Sequence, residues 1–87
     1  MQKFDGDKLK ELRKAKKLTR EELSRALFAQ SRIDITGQTI ANIETGKSDP
    51  RSEDMAAIAY FFAKSILSFF KKTPDFLEAR IKNQAGR

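Results

Sequence analysis

Apolar residues return at helical intervals along most of the chain, and the β-branched alternation of strands is nearly absent. Phe4, Leu9, Leu12, Arg13 and Lys16 fall on one stripe of period 3.6, with Asp5 available as N-cap and Phe4 and Leu9 spaced as a hydrophobic staple. This predicts a first helix from about Gly6 to Lys16. The segment Leu18-Thr19-Arg20-Glu21-Glu22-Leu23 is a stronger start signal: Thr19 and Glu22 form a capping box, while Leu18 and Leu23 stand at N′ and N4. A second helix is expected from Arg20 to about Gln30, through Leu23, Ala26 and Leu27. Thr36, with Ile35 and Ile40 as staple, repeats the logic; Ile43 continues the stripe until Gly46 stops a short third helix of roughly Gly37 to Thr45.

Ser48-Asp49-Pro50-Arg51-Ser52 reads as a turn, and Met55, Ile58, Ala59 and Phe62 give the spacing of a fourth helix capped by either Asp49 or Ser52. Beyond Phe62 the pattern forks, since Ile66, Phe69 and Phe70 extend the fourth helix or form a fifth one from near Ser65. Thr73 as cap with Pro74 at the first helical position restarts the chain, and Phe76, Leu77 and Ile81 mark a last helix that frays by Gly86. The expected class is all-α: a compact five-helix domain with an additional C-terminal helix.

At 87 residues one domain is the ceiling, and 39% hydrophobic residues suffice to close one small core. The absence of cysteine removes disulfides, zinc thiolates and cysteine nucleophiles, and the absence of histidine removes the commonest acid/base and metal ligand. No cofactor or metal is expected, and an enzyme is not. The acidic pairs Glu21-Glu22 and Glu53-Asp54 read as first-turn residues favoured by the helix macrodipole. The segment Lys3 to Lys17 is charged, without an apolar stretch that would serve as a secretory leader, and the longest apolar run, Met55 to Ala63, falls far short of a membrane span. A cytoplasmic protein is expected. The net charge of +6 is uneven: residues 1–20 carry +5, residues 21–50 carry −2 and residues 51–87 carry +3. A basic entry segment suits phosphate or an anionic membrane, and charge alone does not separate the two.

The motifs do. Leu9-Lys10-Glu11-Leu12-Arg13, then Leu18 to Leu23, then Gln38-Thr39-Ile40-Ala41-Asn42-Ile43-Glu44-Thr45-Gly46-Lys47, then Pro50 and Met55 to Phe62 resemble, in order, the helix-turn-helix DNA-binding domains of the phage repressor and Cro type. The likeness, shared with regulators of the xenobiotic-response-element type, covers about residues 4 to 70. It divides the chain into a helix-turn-helix domain, 1–70, and a C-terminal helical extension, 71–87. The chain departs from the family in two places. Phe28 to Asp34 lengthens the normally tight turn between the second and third helices, and Arg20 stands where the family often has Gln.

On a 100° wheel, Ile40, Ile43 and Glu44 share one side of the third helix, and Gln38, Ala41, Asn42 and Thr45 share the other. A helix fits the major groove, where Gln or Asn pairs with adenine N6 and N7, and Ala or a Thr methyl touches the thymine methyl. The resemblance makes this the recognition helix and implies that Gln38, Ala41 and Asn42 read bases. Thr39 belongs to the same set, and so does Gly37, which would let the backbone approach closely. It further implies that Thr19, Arg20, Thr36, Thr45 and Lys47 hold the sugar-phosphate backbone, with Arg32 in the long turn as a further phosphate candidate or a solvated loop residue. Arg13 and Glu44 lie beside the apolar stripes of their helices and so face inward. The resemblance implies a structural ion pair between them.

The expected function is sequence-specific binding of double-stranded DNA by a transcriptional regulator, most simply a nucleoid-associated repressor. The alternative is a protein-interaction module, such as an antitoxin-type partner-binding protein, using the Phe-rich C-terminal third. Phe69, Phe70, Phe76, Leu77 and Ile81 exceed what one domain face can hide, which predicts a homodimer built by that third.

Overall fold

The computed structural model describes residues 3–70. They form four α-helices, α1 (Gly6–Ala15), α2 (Arg20–Ser31), α3 (Gly37–Glu44) and α4 (Ser52–Phe61), followed by a four-residue 3-10 turn at Ile66–Phe69. The first three helices begin where a side-chain oxygen meets their free N–H groups. Asp5 accepts from the Lys8 N–H, Thr19 from Glu22 and Thr36 from Thr39. At α2 the box closes in both directions, because the Glu22 carboxylate also accepts the Thr19 N–H at 2.8 Å. That backbone hydrogen bond is the main reason the Glu22 carboxyl titrates below its ordinary value, with the Thr19 hydroxyl adding to it.

The start of α4 differs from expectation. Neither Asp49 nor Ser52 caps it; Arg51 is the N-cap residue, and the buried Asp54 reaches back to accept its N–H at 3.3 Å. Asp54 also holds the Arg51 guanidinium at 3.3 Å, a hydrogen bond that raises the arginine's pKa further above its ordinary value.

Three helices end by the same device, a left-handed residue followed by a bond back across the last turn. Lys17 (φ 58°), Gly46 (φ 82°) and Ala63 (φ 54°) take the left-handed position after α1, α3 and α4. The next N–H then reaches back: Leu18 to the Arg13 carbonyl at 3.1 Å, Lys47 to Asn42 at 2.8 Å and Lys64 to Ala59 at 2.9 Å. A left-handed residue with a Cβ costs about 1–2 kcal/mol, so α1 and α4 end under a strain that glycine relieves at α3.

The five-helix domain expected from the spacing is not what folds. Ala63 stops α4, Ser65 caps the Leu67 N–H, and the fifth element is the single 3-10 turn rather than an α-helix. The reason is a tertiary tie. The Asp5 N–H donates to the Phe69 carbonyl at 2.5 Å, and Phe4 bridges Phe70 in antiparallel fashion, so the backbone must leave the helical region at Phe70. The Phe4 and Phe69 rings stack with centroids 5.6 Å apart, and Phe70 meets Phe4 edge-on at 6.3 Å. The additional C-terminal helix expected from Thr73, with Phe76, Leu77 and Ile81, lies outside the described residues.

The core joins all these elements: Phe4, Leu9, Leu23, Leu27, Ile35, Ile40, Ile43, Ile58, Phe62 and Phe69 are buried together, with Leu12 and Leu18 packed against them. Helix α3 lies against both α1 and α2, and α4 lies against α2. The residues that lengthen the turn of the helix-turn-helix do not form a loose insertion. Phe28 to Ser31 continue α2 by a turn, Arg32 ends it in the left-handed region, and the connection to α3 is only Arg32 to Thr36. The Ser24 hydroxyl pins that connection by donating to the Ile35 carbonyl at 2.5 Å. Among the described residues no helix is long and apolar enough to cross a membrane.

Candidate nucleic-acid interface

Because Ile40 and Ile43 are drawn into the core, the opposite face of α3 is turned to solvent. Gln38 and Thr45 are exposed on it, and Ala41 and Asn42 are half-buried. One turn apart, Gln38 donates through Nε2 to the Asn42 Oδ1 at 3.1 Å. A primary amide has two N–H donors, so this bond leaves Gln38 with its Oε1 acceptor and one N–H for a base edge, and limits the rotamers the side chain samples. Asn42 keeps its own N–H₂ group.

The other residues assigned to base reading divide. Ala41 stands on the outward face. Thr39 is half-buried, and its hydroxyl shares a hydrogen bond of 3.0 Å with the Thr36 hydroxyl at the start of the helix. Gly37 does not open the backbone to a ligand. It is buried, and the room left by its missing side chain is filled by the Glu21 carboxylate, which a Cβ at this position would overlap.

Arg13 and Glu44 meet as expected. Arg13 donates from Nε to Glu44 Oε2 at 2.6 Å and from Nη2 to Oε1 at 3.1 Å, and its Nη1 donates to the Leu18 carbonyl at 2.7 Å. The pair ties α1 to α3 and to the segment entering α2, with both side chains buried. The sequence did not disclose a third member. Arg20 donates from Nε to Glu44 Oε1 at 3.0 Å, so one carboxylate serves two guanidinium groups from different helices. Local signals could not find it. Arg20 and Glu44 stand 24 positions apart, and a helical wheel says nothing of contacts between helices.

The remaining phosphate candidates occupy distinct situations. Thr19 and Thr36 are exposed, and each hydroxyl oxygen accepts a cap hydrogen bond; the Thr36 hydroxyl also shares a hydrogen bond with that of Thr39. Thr45 directs its hydroxyl proton back to the Ala41 carbonyl at 3.0 Å, so it closes the end of α3 rather than offering a donor. Lys47 is exposed just beyond that end. Arg32 is exposed, with its guanidinium 5.5 Å above the Phe28 ring. Of the dimerisation candidates, Phe69 is buried in the chain's own core and Phe70 is half-buried against Phe4. Among the described residues, the apolar side chains left exposed at this end are instead Tyr60, Ile66 and Leu67, the last 75% accessible.

Neither curated proteins nor solved structures yield a match to the chain. The family described as a helix-turn-helix domain matches residues 6–75. That stretch holds α1 to α4 and the triad that joins α1, α2 and α3, and the chain belongs to the helix-turn-helix domain family.

Proposed function

We propose that the protein is a sequence-specific regulator that binds double-stranded DNA through α3 and represses transcription by occupying its site. The observation that carries this reading is the outward face of α3, where Gln38 and Asn42 form an ordered amide pair on a helix whose other side is locked into the core. Membership of the helix-turn-helix family supports a DNA partner. The net charge of +6 supplies the long-range attraction. Gln38 and Asn42 take the role of base readers, with Ala41 offering a methyl contact; Arg20, Thr19, Thr36 and Lys47 hold the backbone. The homodimer in this reading uses Tyr60, Ile66 and Leu67 in place of Phe69 and Phe70, and would set two α3 helices about 34–36 Å apart on a near-palindromic site.

The test starts from sites selected out of random duplex DNA. Binding to the selected site is expected to weaken steeply with salt, its log–log slope falling by about 0.9 for every phosphate neutralised. Gln38→Ala is expected to cost about 1–3 kcal/mol on that site and to leave random duplex binding unchanged. Equal losses on both DNAs would remove Gln38 from base reading. Failure to bind any duplex would redirect the search to a protein partner.

A further inference from the structure

The arginine–glutamate–arginine triad has an asymmetry that a purely structural ion pair does not explain. The Glu44 side chain is 0% accessible and that of Arg13 9%, whereas that of Arg20 is 40% accessible. Arg13 already provides Glu44 with a bidentate partner of opposite charge, so the triad as a whole carries one surplus positive charge. That charge rests on the member that meets solvent. Arg20 is the first residue of α2, directly after the exposed cap Thr19.

We propose that Glu44 is a positioning residue for DNA contact, holding Arg20 by its Nε so that the two Nη groups are presented to a backbone phosphate; this rests on the DNA-binding reading above. A guanidinium has five N–H donors in a fixed planar fork. Glu44 takes the one on Nε, and among the described residues no other acceptor takes the four on Nη1 and Nη2. Their shared edge matches two phosphate oxygens. Because Glu44 is itself fixed by Arg13, the fork is oriented before DNA arrives, and little side-chain freedom remains to be lost on binding. Glu44 is the last residue of α3, so the phosphate contact and the base-reading helix are held in one register.

Lysine separates a positioned fork from a mere charge. It keeps the positive charge on a flexible stem but cannot hold Glu44 from Nε while offering a planar pair of donors. Duplex binding is measured as a function of salt for the wild type, Arg20→Lys and Arg20→Ala. Arg20→Lys is expected to bind roughly tenfold more weakly than the wild type, close to Arg20→Ala, with the salt slope reduced by about 0.9, the share of one phosphate. Arg20→Lys binding within about twofold of the wild type would show that charge alone suffices and overturn the positioning role. NMR supplies a second readout that does not depend on variants folding. The Arg20 Nε–H signal is expected to be protected from water in the free protein and to stay protected on the duplex. Its loss on binding would show the guanidinium letting go of Glu44 and would equally overturn the role. A wild type that binds no duplex would remove the DNA reading together with this one; a wild type that binds, matched by Arg20→Lys, removes only the positioning.

Discussion

Arg13→Ala is expected to lower the folding stability by about 3 kcal/mol or more, within the range of about 3–5 kcal/mol for breaking a buried ion pair by removing one partner. The substitution takes away three hydrogen bonds, at 2.6, 2.7 and 3.1 Å, and leaves the Leu18 carbonyl and most of the Glu44 carboxylate without their donor. Glu44 has no access to water in the native state, so the loss is not made good by solvation. Arg20 remains at 3.0 Å and keeps the carboxylate from being fully stranded, which places the expected value toward the lower end. For a domain of this size the whole stability is about 5–10 kcal/mol, and each kcal/mol moves the melting temperature by about 4–8 °C. A fall of more than about 10 °C in a thermal melt is therefore the expected result. An unchanged melting temperature together with weaker DNA binding would instead make Arg13 a phosphate contact. Replacing both partners by apolar residues of similar volume is expected to cost much less, because no buried charge is then left alone.

The starts of the first three helices were legible because caps are local. Asp5, Thr19 with Glu22, and Thr36 each hydrogen-bond within three residues of themselves, and the same residues state it in the sequence. The inward faces were legible for the same reason, since Leu9, Leu23, Ile40 and Ile43 repeat at the helical period. What could not be read depends on partners far along the chain or on backbone conformations without a residue signature. The end of α4 is made by an alanine in the left-handed region, where a glycine would have been the signal. The stripe of Ile66, Phe69 and Phe70 has helical spacing, as an extension of α4 or as a fifth helix, but only Phe69 is buried, stacked on a ring 65 positions earlier, while Ile66 faces solvent. The end of α2, expected near Gln30, falls at Ser31, whereas the left-handed Arg32 that shortens the connection to α3 carries no residue signature. At the site, the outward set on α3 followed from periodicity. The fixing of Arg20 by Glu44 and the filling of Gly37 by Glu21 did not, since both are contacts between helices.

Gly6→Ala and Gly37→Ala are expected to behave oppositely, although both glycines are buried at the first position of a helix. On intrinsic propensity alone alanine should stabilise either helix, by up to about 1 kcal/mol. What meets the new methyl decides the sign. At Gly37 it is the tip of the exposed Glu21 side chain, which can swing into solvent at little cost. The expected change there is small. At Gly6 the methyl would overlap the Ile43 carbonyl and stand 2.7 Å from the Glu44 carbonyl oxygen, both backbone atoms in the last turn of α3. Neither can move without displacing α3 from α1, and that displacement would stretch the 2.6 Å hydrogen bond between Arg13 and Glu44. The steric loss of about 1–3 kcal/mol for overpacking is thus joined by a weakened buried ion pair, and the sum exceeds the gain in propensity. Gly6→Ala is expected to unfold at clearly lower urea concentration than the wild type, with an unchanged denaturant slope, while Gly37→Ala stays close to it. Equal midpoints for the two variants would mean that α1 and α3 can separate freely, and that the close approach of their backbones does not hold the triad in place.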